Sequence, residues 1–261
     1  DQEITVGKFD CNLTQGYLRL GQRQSGKGDI RIQGEATIKP RTRYLQLHGV
    51  QTTTDGLQLG MRELTIPDWS KPLAVAAVDL AGRGDLDGLL ALAGDFSSLP
   101  AGTAVRGGIS FSATLDAPDP NRQEVSADFS ARGLTITREQ RDPLVNETLA
   151  LNLAAVLAPR DATANLTSLT LVSAPAGFSV SGSLSDWRGR RHLTASGNLK
   201  CDGDRLGPVL VALTGKPIVL GGAFDRPFRI TTDLAAPTLS ERLRATDANF
   251  DLPLARAGYG E

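Results

Sequence analysis

Apolar and polar residues alternate along most of this chain. The stretch 30–38 is typical, and its apolar positions are Ile30, Ile32, Gly34, Ala36 and Ile38. The same alternation returns at Leu45, Leu47, Leu57, Leu59, Leu149, Leu151, Leu153, Leu166, Leu169 and Leu171. Because successive side chains of a strand point to opposite faces, each stretch predicts a strand with one apolar and one polar face. The stretches recur about every 10 to 14 residues with turn-forming residues between them, which favours antiparallel neighbours and about seven strands per unit.

One segment in each half of the chain departs from this alternation. In LDGLLALAG (86–94), the apolar residues recur at the spacing of a helix, between Asp85 at the N-cap and Gly94 at the C-cap. In the second half Asp204, 119 residues after Asp85, stands at the matching N-cap position, and an apolar series follows it and ends at Gly215. Each half therefore predicts one short helix that covers part of an apolar sheet face.

The sequence repeats itself after 116 to 119 residues. Trp69 and Trp187 each follow an aspartate and lie 118 residues apart. Four blocks keep the same order in both halves, among them VDLAGRGDLDGLLALAGD (78–95) and GNLKCDGDRLGPVLVALTG (197–215). Repetition at a fixed period predicts tandem units that stack on one another. We expect a mainly β, elongated fold with two repeats of curved antiparallel sheet, 1–118 and 119–237, each with one short α-helix. We expect a third repeat to begin at 238–261.

Composition narrows the functions that remain open. The formal net charge is −1, from 28 basic and 29 acidic residues, so no overall field draws the chain to nucleic acid or to an anionic bilayer. No apolar run is long enough to cross a membrane as a helix. Because the chain opens with Asp1 and shows no signal peptide, we interpret it as a fragment of a longer protein.

Residues that could carry chemistry are few and scattered. His48 and His192 have no neighbouring ligand candidates, so no metal site is expected. The string LTGKP (213–217) lacks the first glycine and the Ser or Thr of a phosphate loop, so a helix that ends at Gly215 is the simpler interpretation. Cys11 and Cys201 lie far apart, and spacing alone leaves their pairing open. We therefore expect no catalytic residues, no cofactor and no enzymatic activity.

The order of strands, helix and glycine-bearing turn resembles the AsmA-like family of bacterial envelope proteins, of the AsmA, TamB and YhdP type. The resemblance rests on GRGDLDGLLALAGD with AVRGGISFSATLDAP, on CDGDRLGPVLVALTG with LGGAFDRPFRITTDLAAP, and on runs such as GDIRIQGEATIKP and GFSVSGSLSDW. It covers nearly the whole chain. It implies a periplasmic module in a parent protein anchored to the inner membrane, curved sheets with a hydrophobic groove, and a role in phospholipid transport or outer-membrane homeostasis.

The pattern also predicts a surface for apolar ligands. A sheet with one apolar face must cover that face or leave it open, and one short helix against about seven strands is too little cover. We hypothesise a groove that contacts phospholipid acyl chains, lined by Ile30, Ile32, Leu45, Leu47, Leu149, Leu151, Leu169 and Leu171. One alternative is that these residues form an ordinary core and that the units act only as structural spacers of an envelope-spanning protein. Another is that the fold assembles an active site. Partner proteins and lipid class are not specified by the sequence.

Overall fold

The computed structural model describes residues 4–17, 19–20, 22–71, 75–94, 99–119, 121–139, 141–235, 246–250 and 256–259. Within these ranges the chain forms seventeen strands and two short helices. The strands are β1 (Ile4–Gly16), β2 (Arg19–Leu20), β3 (Arg23–Gln24), β4 (Gly28–Lys39), β5 (Tyr44–Thr53), β6 (Leu57–Ile66), β7 (Ala77–Asp85), β8 (Thr103–Asp119), β9 (Arg122–Arg138), β10 (Arg141–Ala158), β11 (Thr163–Val172), β12 (Ala176–Ser185), β13 (His192–Asp202), β14 (Ile218–Gly221), β15 (Ala223–Asp233), β16 (Asp247–Phe250) and β17 (Arg256–Tyr259). The helices are α1 (Leu86–Ala93) and α2 (Gly203–Thr214).

Thirteen strands form one open antiparallel sheet. Their order is β1-β4-β5-β6-β7-β8-β9-β10-β11-β12-β13-β15-β16, with two short pairs, β2–β3 and β14–β17, outside it. The sheet does not close, and β1 and β16 stand at its two ends. The predicted fold class, a mainly β, curved and elongated antiparallel sheet of two repeats with one short helix each, is confirmed.

Cross-strand register brings the alternating apolar residues to the same face. Leu47 lies opposite Leu64, and Leu153 lies opposite Leu169. Residues directly opposite each other in a ladder point to the same side of the sheet. At Gly49 (φ +60°), β5 carries one extra residue relative to β4, and the alternation resumes in phase beyond this bulge. The apolar side therefore stays continuous across irregular registers.

The second half of the sheet repeats the first in detail. Strands β11 and β12 begin and end 119 residues after β5 and β6. The turns between these strands also match, because the amides of Thr54 and Ser173 donate to the carbonyl oxygens of Leu57 and Ala176 at 2.8 and 3.1 Å. Both units belong to one continuous sheet, since β8 pairs with β9 along most of their length.

The predicted unit boundaries stay predictions. Residues 118 and 119 lie at the end of β8, just before the turn into β9. The boundary between 237 and 238 lies outside the described residues.

Both helices lie at the same rim of the sheet, because β7 and β13, which precede them, run in the same direction. The main buried cluster sits at this rim. It contains Ile136 and Leu144, at the ends of β9 and β10, with Val209 and Ala212 of α2. No residue of α1 is buried. The helices therefore shelter one margin of the sheet.

The helix of the second unit begins two residues earlier than the repeat alignment predicts. Its N-cap is Asp202, whose carboxylate accepts a hydrogen bond from the Arg205 amide at 3.2 Å. Asp204, which we matched to the N-cap Asp85, lies inside the first turn. The predicted end is confirmed, because Gly215 (φ +72°) caps α2 and its amide donates to the Val211 carbonyl oxygen.

The accessible surface shows how open this architecture is. It amounts to 16210 Å², whereas a compact protein of 27.6 kDa is expected to expose about 11,000 Å². Among the described residues, no large side chain is more than 98% buried. The sheet therefore lacks the enclosed core of a two-layer domain.

Candidate apolar binding face

We call the side of the sheet that carries the alternating apolar residues the apolar face. Its central row crosses the strands at right angles from β1 to β13. The row consists of Cys11, Ile32, Thr52, Leu59, Gly82, Phe111, Phe129, Leu151, Leu171, Phe178 and Leu199, each opposite the next in the ladder. Its continuation on β15 is Arg226. Ten strand steps of about 4.8 Å make this row about 48 Å long.

A second row runs parallel to the first, on the side away from the helices. It contains Leu80, Ala113, Ala127, Leu153, Leu169, Val180, Gly197 and Phe228. Together the two rows form a band of apolar side chains that continues through both units.

All eight residues predicted to line a groove lie on this face. Ile32, Leu151 and Leu171 stand in the central row, while Ile30 and Leu149 lie next to it on the helix side. Leu169 lies in the second row, and Leu47 and Leu45 follow toward the rim opposite the helices. The register thus gathers the eight onto one surface, although Ile32 and Leu151 are six strands apart. Their contact with lipid stays a prediction.

Cover over the band is partial. The eight predicted residues are all half-buried, as are the phenylalanines of the central row. Full burial occurs nearer the margins of the sheet instead, for example at Ile109 and Ala131 on the helix side, whose relative exposure is 9% and 3%. No described residue of the two rows is fully buried, so no described element packs tightly over the band.

The sequence interpretation missed the aromatic residues of the band. Phe111 and Phe129 lie directly opposite each other on β8 and β9, and Phe178 lies opposite Leu171. The Phe111 ring lies over Gly82, where an added Cβ would come within 2.7 Å of Cε1 of the ring. The apolar residues at 109, 111, 113 and 115 alternate with polar ones, and this pattern could have placed Phe111 on the apolar face.

A broad depression lies mainly on the opposite, polar face. It has a volume of about 830 Å³, and the polar side chains along it include Gln51, Gln58, Arg83, Ser110, Asp128 and Asn152. Adjacent side chains bond to each other across the strands. Arg83 Nε donates to Gln58 Oε1 at 2.9 Å, and the hydroxyls of Ser110 and Ser130 lie 2.8 Å apart. These ladders stabilise a hydrated surface that contrasts with the apolar face.

A second cleft, of about 760 Å³, lies between α2 and β14. Arg138 reaches it from the end of β9, and its Nη1 donates to the Val211 carbonyl oxygen at 2.6 Å. A cation near the last turn of a helix is favourable, because the unpaired carbonyls there carry partial negative charge. Arg138 therefore anchors the C-terminal end of α2 to the sheet.

Groups with chemical potential are dispersed in the part of the chain that the structure describes. His192 pairs with Asp233, with Nδ1 and Oδ1 2.7 Å apart, at the rim opposite the helices. No three His, Cys, Asp or Glu side chains there are grouped as metal ligands would be. Likewise, none of its helices is long and apolar enough to cross a membrane.

The two cysteines are free and well separated. Cys11 is exposed on β1, and Cys201 is buried on β13, with nine strands between them. Burial raises the pKa of the Cys201 thiol above its ordinary value. Because nine strands separate Cys11 from Cys201, the fold excludes a disulfide between them within one molecule.

Comparison with known proteins gives no relative from which a role could be transferred. No protein-family model matches the chain, and no significant match was found among curated proteins or solved structures.

Proposed function

We propose that the apolar face binds the acyl chains of phospholipids, in a periplasmic module of an AsmA-like envelope protein that serves phospholipid transport or outer-membrane homeostasis. The observation that carries this proposal is the band of Leu, Ile, Val and Phe side chains that crosses the sheet without a described element covering it. The location and the parent protein, anchored to the inner membrane, follow from the sequence resemblance.

The energetics favour an apolar occupant. Soluble monomers rarely leave more than a few hundred Å² of contiguous apolar surface open to water, and larger patches mark binding surfaces. Each methylene removed from water contributes about 0.8 kcal/mol, so an acyl chain lying along the band would be held without a specific polar contact. Because such contact is non-directional, we expect binding to tolerate different chain lengths.

The shape of the band suits an elongated ligand. Its rows run across the strands rather than along them, so they pass from one repeat into the next at the β8–β9 pair. No charged residue interrupts the central row from Cys11 to Leu199. A ligand that slides along the central row would therefore meet uncharged residues from β1 to β13.

A second candidate function is a structural spacer without a ligand of its own. The observation that favours it is the depression of about 830 Å³, whose lining residues lie mainly on the polar face. In that case the apolar face would be covered by other parts of an envelope-spanning protein.

Two neighbouring positions on β11 provide a matched test. Leu171 lies in the central row, while Val172 points to the polar face and is 58% exposed. A photoreactive phenylalanine derivative placed at 171 or at 172 is irradiated in the presence of vesicles of phosphatidylethanolamine and phosphatidylglycerol, and bound lipid is identified by mass spectrometry. We expect at least tenfold more lipid adduct at position 171.

Equal labelling at the two positions would contradict the proposal. Absence of lipid adducts at 171, together with absence of phospholipid in organic extracts of the purified chain, would favour the spacer.

A further inference from the structure

The first strand of the sheet occupies the same place in its unit as β9 does in the second. Cys11 of β1 lies opposite Ile32 of β4, and Phe129 of β9 lies opposite Leu151 of β10. Ile32 and Leu151 are themselves equivalent, since their partners on the next strand, Thr52 and Leu171, are 119 residues apart. Position 11 therefore corresponds to position 129.

The two equivalent strands differ in their number of neighbours. β9 pairs with β10 on one side and with β8 on the other, where Phe111 lies opposite Phe129. β1 pairs with β4 alone, and its outer edge carries no strand within the described ranges. The pairing that joins the two units thus has no counterpart at β1.

The same joint recurs beyond the second unit. β15 pairs with β16, with Phe228 opposite Phe250, just as β8 pairs with β9. The short β14–β17 pair repeats the part of the β8–β9 ladder nearest the helices: Ile218 lies opposite Tyr259 as Thr103 lies opposite Arg138. At both places, therefore, the last strand of one unit pairs with the first strand of the next and extends the sheet.

The outer edge of β1 is regular in its middle, because the ladder with β4 is interrupted only between Val6 and Lys8 and between Leu13 and Gly16. The strand has thirteen residues and contains no proline. Leu13 is 55% exposed. The strand has two charged residues, Lys8 and Asp10, and Oδ2 of Asp10 is already paired with Nη2 of Arg31 at 2.6 Å. The unpaired N–H and C=O groups of such a regular edge segment template another strand.

We propose that the outer edge of β1 is an assembly surface that takes an antiparallel strand of the β8 type from another unit of the same repeat. The register follows from the β8–β9 joint: the residue equivalent to Phe111 lies opposite Cys11 on the apolar face. Pairing in this register continues the band of apolar side chains past β1. The proposal concerns sheet assembly and holds whether or not the face binds lipid.

Cys11 is an exposed thiol at the position that the register predicts, so disulfide trapping tests it directly. A synthetic peptide of residues 101–119 with Phe111→Cys is incubated with the full chain under mild oxidation. The control peptide carries Ser110→Cys, which places its thiol on the polar face. We expect the Phe111→Cys peptide to form the mixed disulfide with Cys11 at least tenfold faster than the control peptide.

Hydrogen exchange supplies a second measurement that does not depend on the thiols. Excess peptide of the native sequence should protect those β1 amides that are not bonded to β4. Cys11→Ser should abolish the cross-link while leaving this protection unchanged. Equal trapping rates for the two peptides, or absence of added protection in β1, would overturn the proposal.

Discussion

The two helices occupy equivalent places in the repeat but are held there in different ways. α2 buries Val209 and Ala212 against the sheet, while its buried Gly203 and Gly207 face β14 and the turn that follows it. α1 buries no residue and is held by close backbone approach, since the Gly26 amide donates to the Leu92 carbonyl oxygen at 2.8 Å. The same position in the fold thus accepts a helix with buried residues or one whose residues all stay partly exposed. Neither arrangement extends cover to the centre of the apolar face.

The largest expected difference in stability between matched variants concerns one glycine in each helix. At Gly88 of α1, an added Cβ would lie 2.7 Å from Cα of Gly56, a backbone atom that cannot easily move. At Gly207 of α2, the nearest atom is the Leu220 nitrogen at 3.4 Å, an ordinary contact. Overpacking of the first kind typically costs about 1–3 kcal/mol, whereas replacing a helical glycine by alanine gains up to about 1 kcal/mol.

We therefore expect Gly88→Ala to lower the free energy of unfolding and Gly207→Ala to leave it unchanged or raise it. Urea denaturation followed by circular dichroism measures both. A loss of the same size in the two variants would show that α1 and α2 are held alike.

A smaller difference is expected at the helix N-caps. The Asp202 carboxylate accepts the Arg205 amide, whereas Asp85 makes no side-chain capping bond. Loss of an N-cap bond typically costs about 1 kcal/mol. Asp202→Ala should therefore lower the free energy of unfolding by about 1 kcal/mol, and Asp85→Ala by less than about 0.5 kcal/mol. Similar losses in a denaturant titration would mean that Asp85 caps α1 in solution.

The N-caps also show where sequence reasoning reaches its limit. Alternation with a period of two predicted the strands, their apolar side and the eight residues gathered on it. A slip of two residues, however, leaves every side chain on the same face, so the pattern cannot detect it. The alignment at 119 matched Asp85 to Asp204, while the fold uses Asp202, 117 residues on.

Other features of the candidate site depend on geometry that alternation does not contain. The pattern shows on which face a side chain lies, but it does not show how the sheet bends. The depression beside Gln58 and Arg83 on the polar face was therefore not predicted. The β8–β9 ladder sets Phe111 opposite Phe129, and this pairing depends on a register that the local sequence does not specify.

The smallest expected effect concerns the Asp-Trp turns of the two units. The Asp68 carboxylate accepts hydrogen bonds from the Ser70 hydroxyl at 2.7 Å and the Ser70 amide at 3.1 Å, and it lies near the Lys71 ammonium. The hydroxyl, more than the other donors, lowers the pKa of Asp68 to about 2. In the second unit, Asp186 accepts the Arg190 amide instead.

Because the folded-state pKa of Asp68 is depressed, its contribution to the turn is present above about pH 4, the unfolded value. It is lost as the pH falls through about 2. Trp69 reports this loss, since its amide donates to the Arg43 carbonyl oxygen and its side chain is 45% exposed. In a Trp187→Phe background, Trp69 emission should shift between pH 4 and pH 2 while the far-ultraviolet circular dichroism stays constant. Adding Asp68→Asn should remove the transition, and a transition that persists would assign it to another carboxylate.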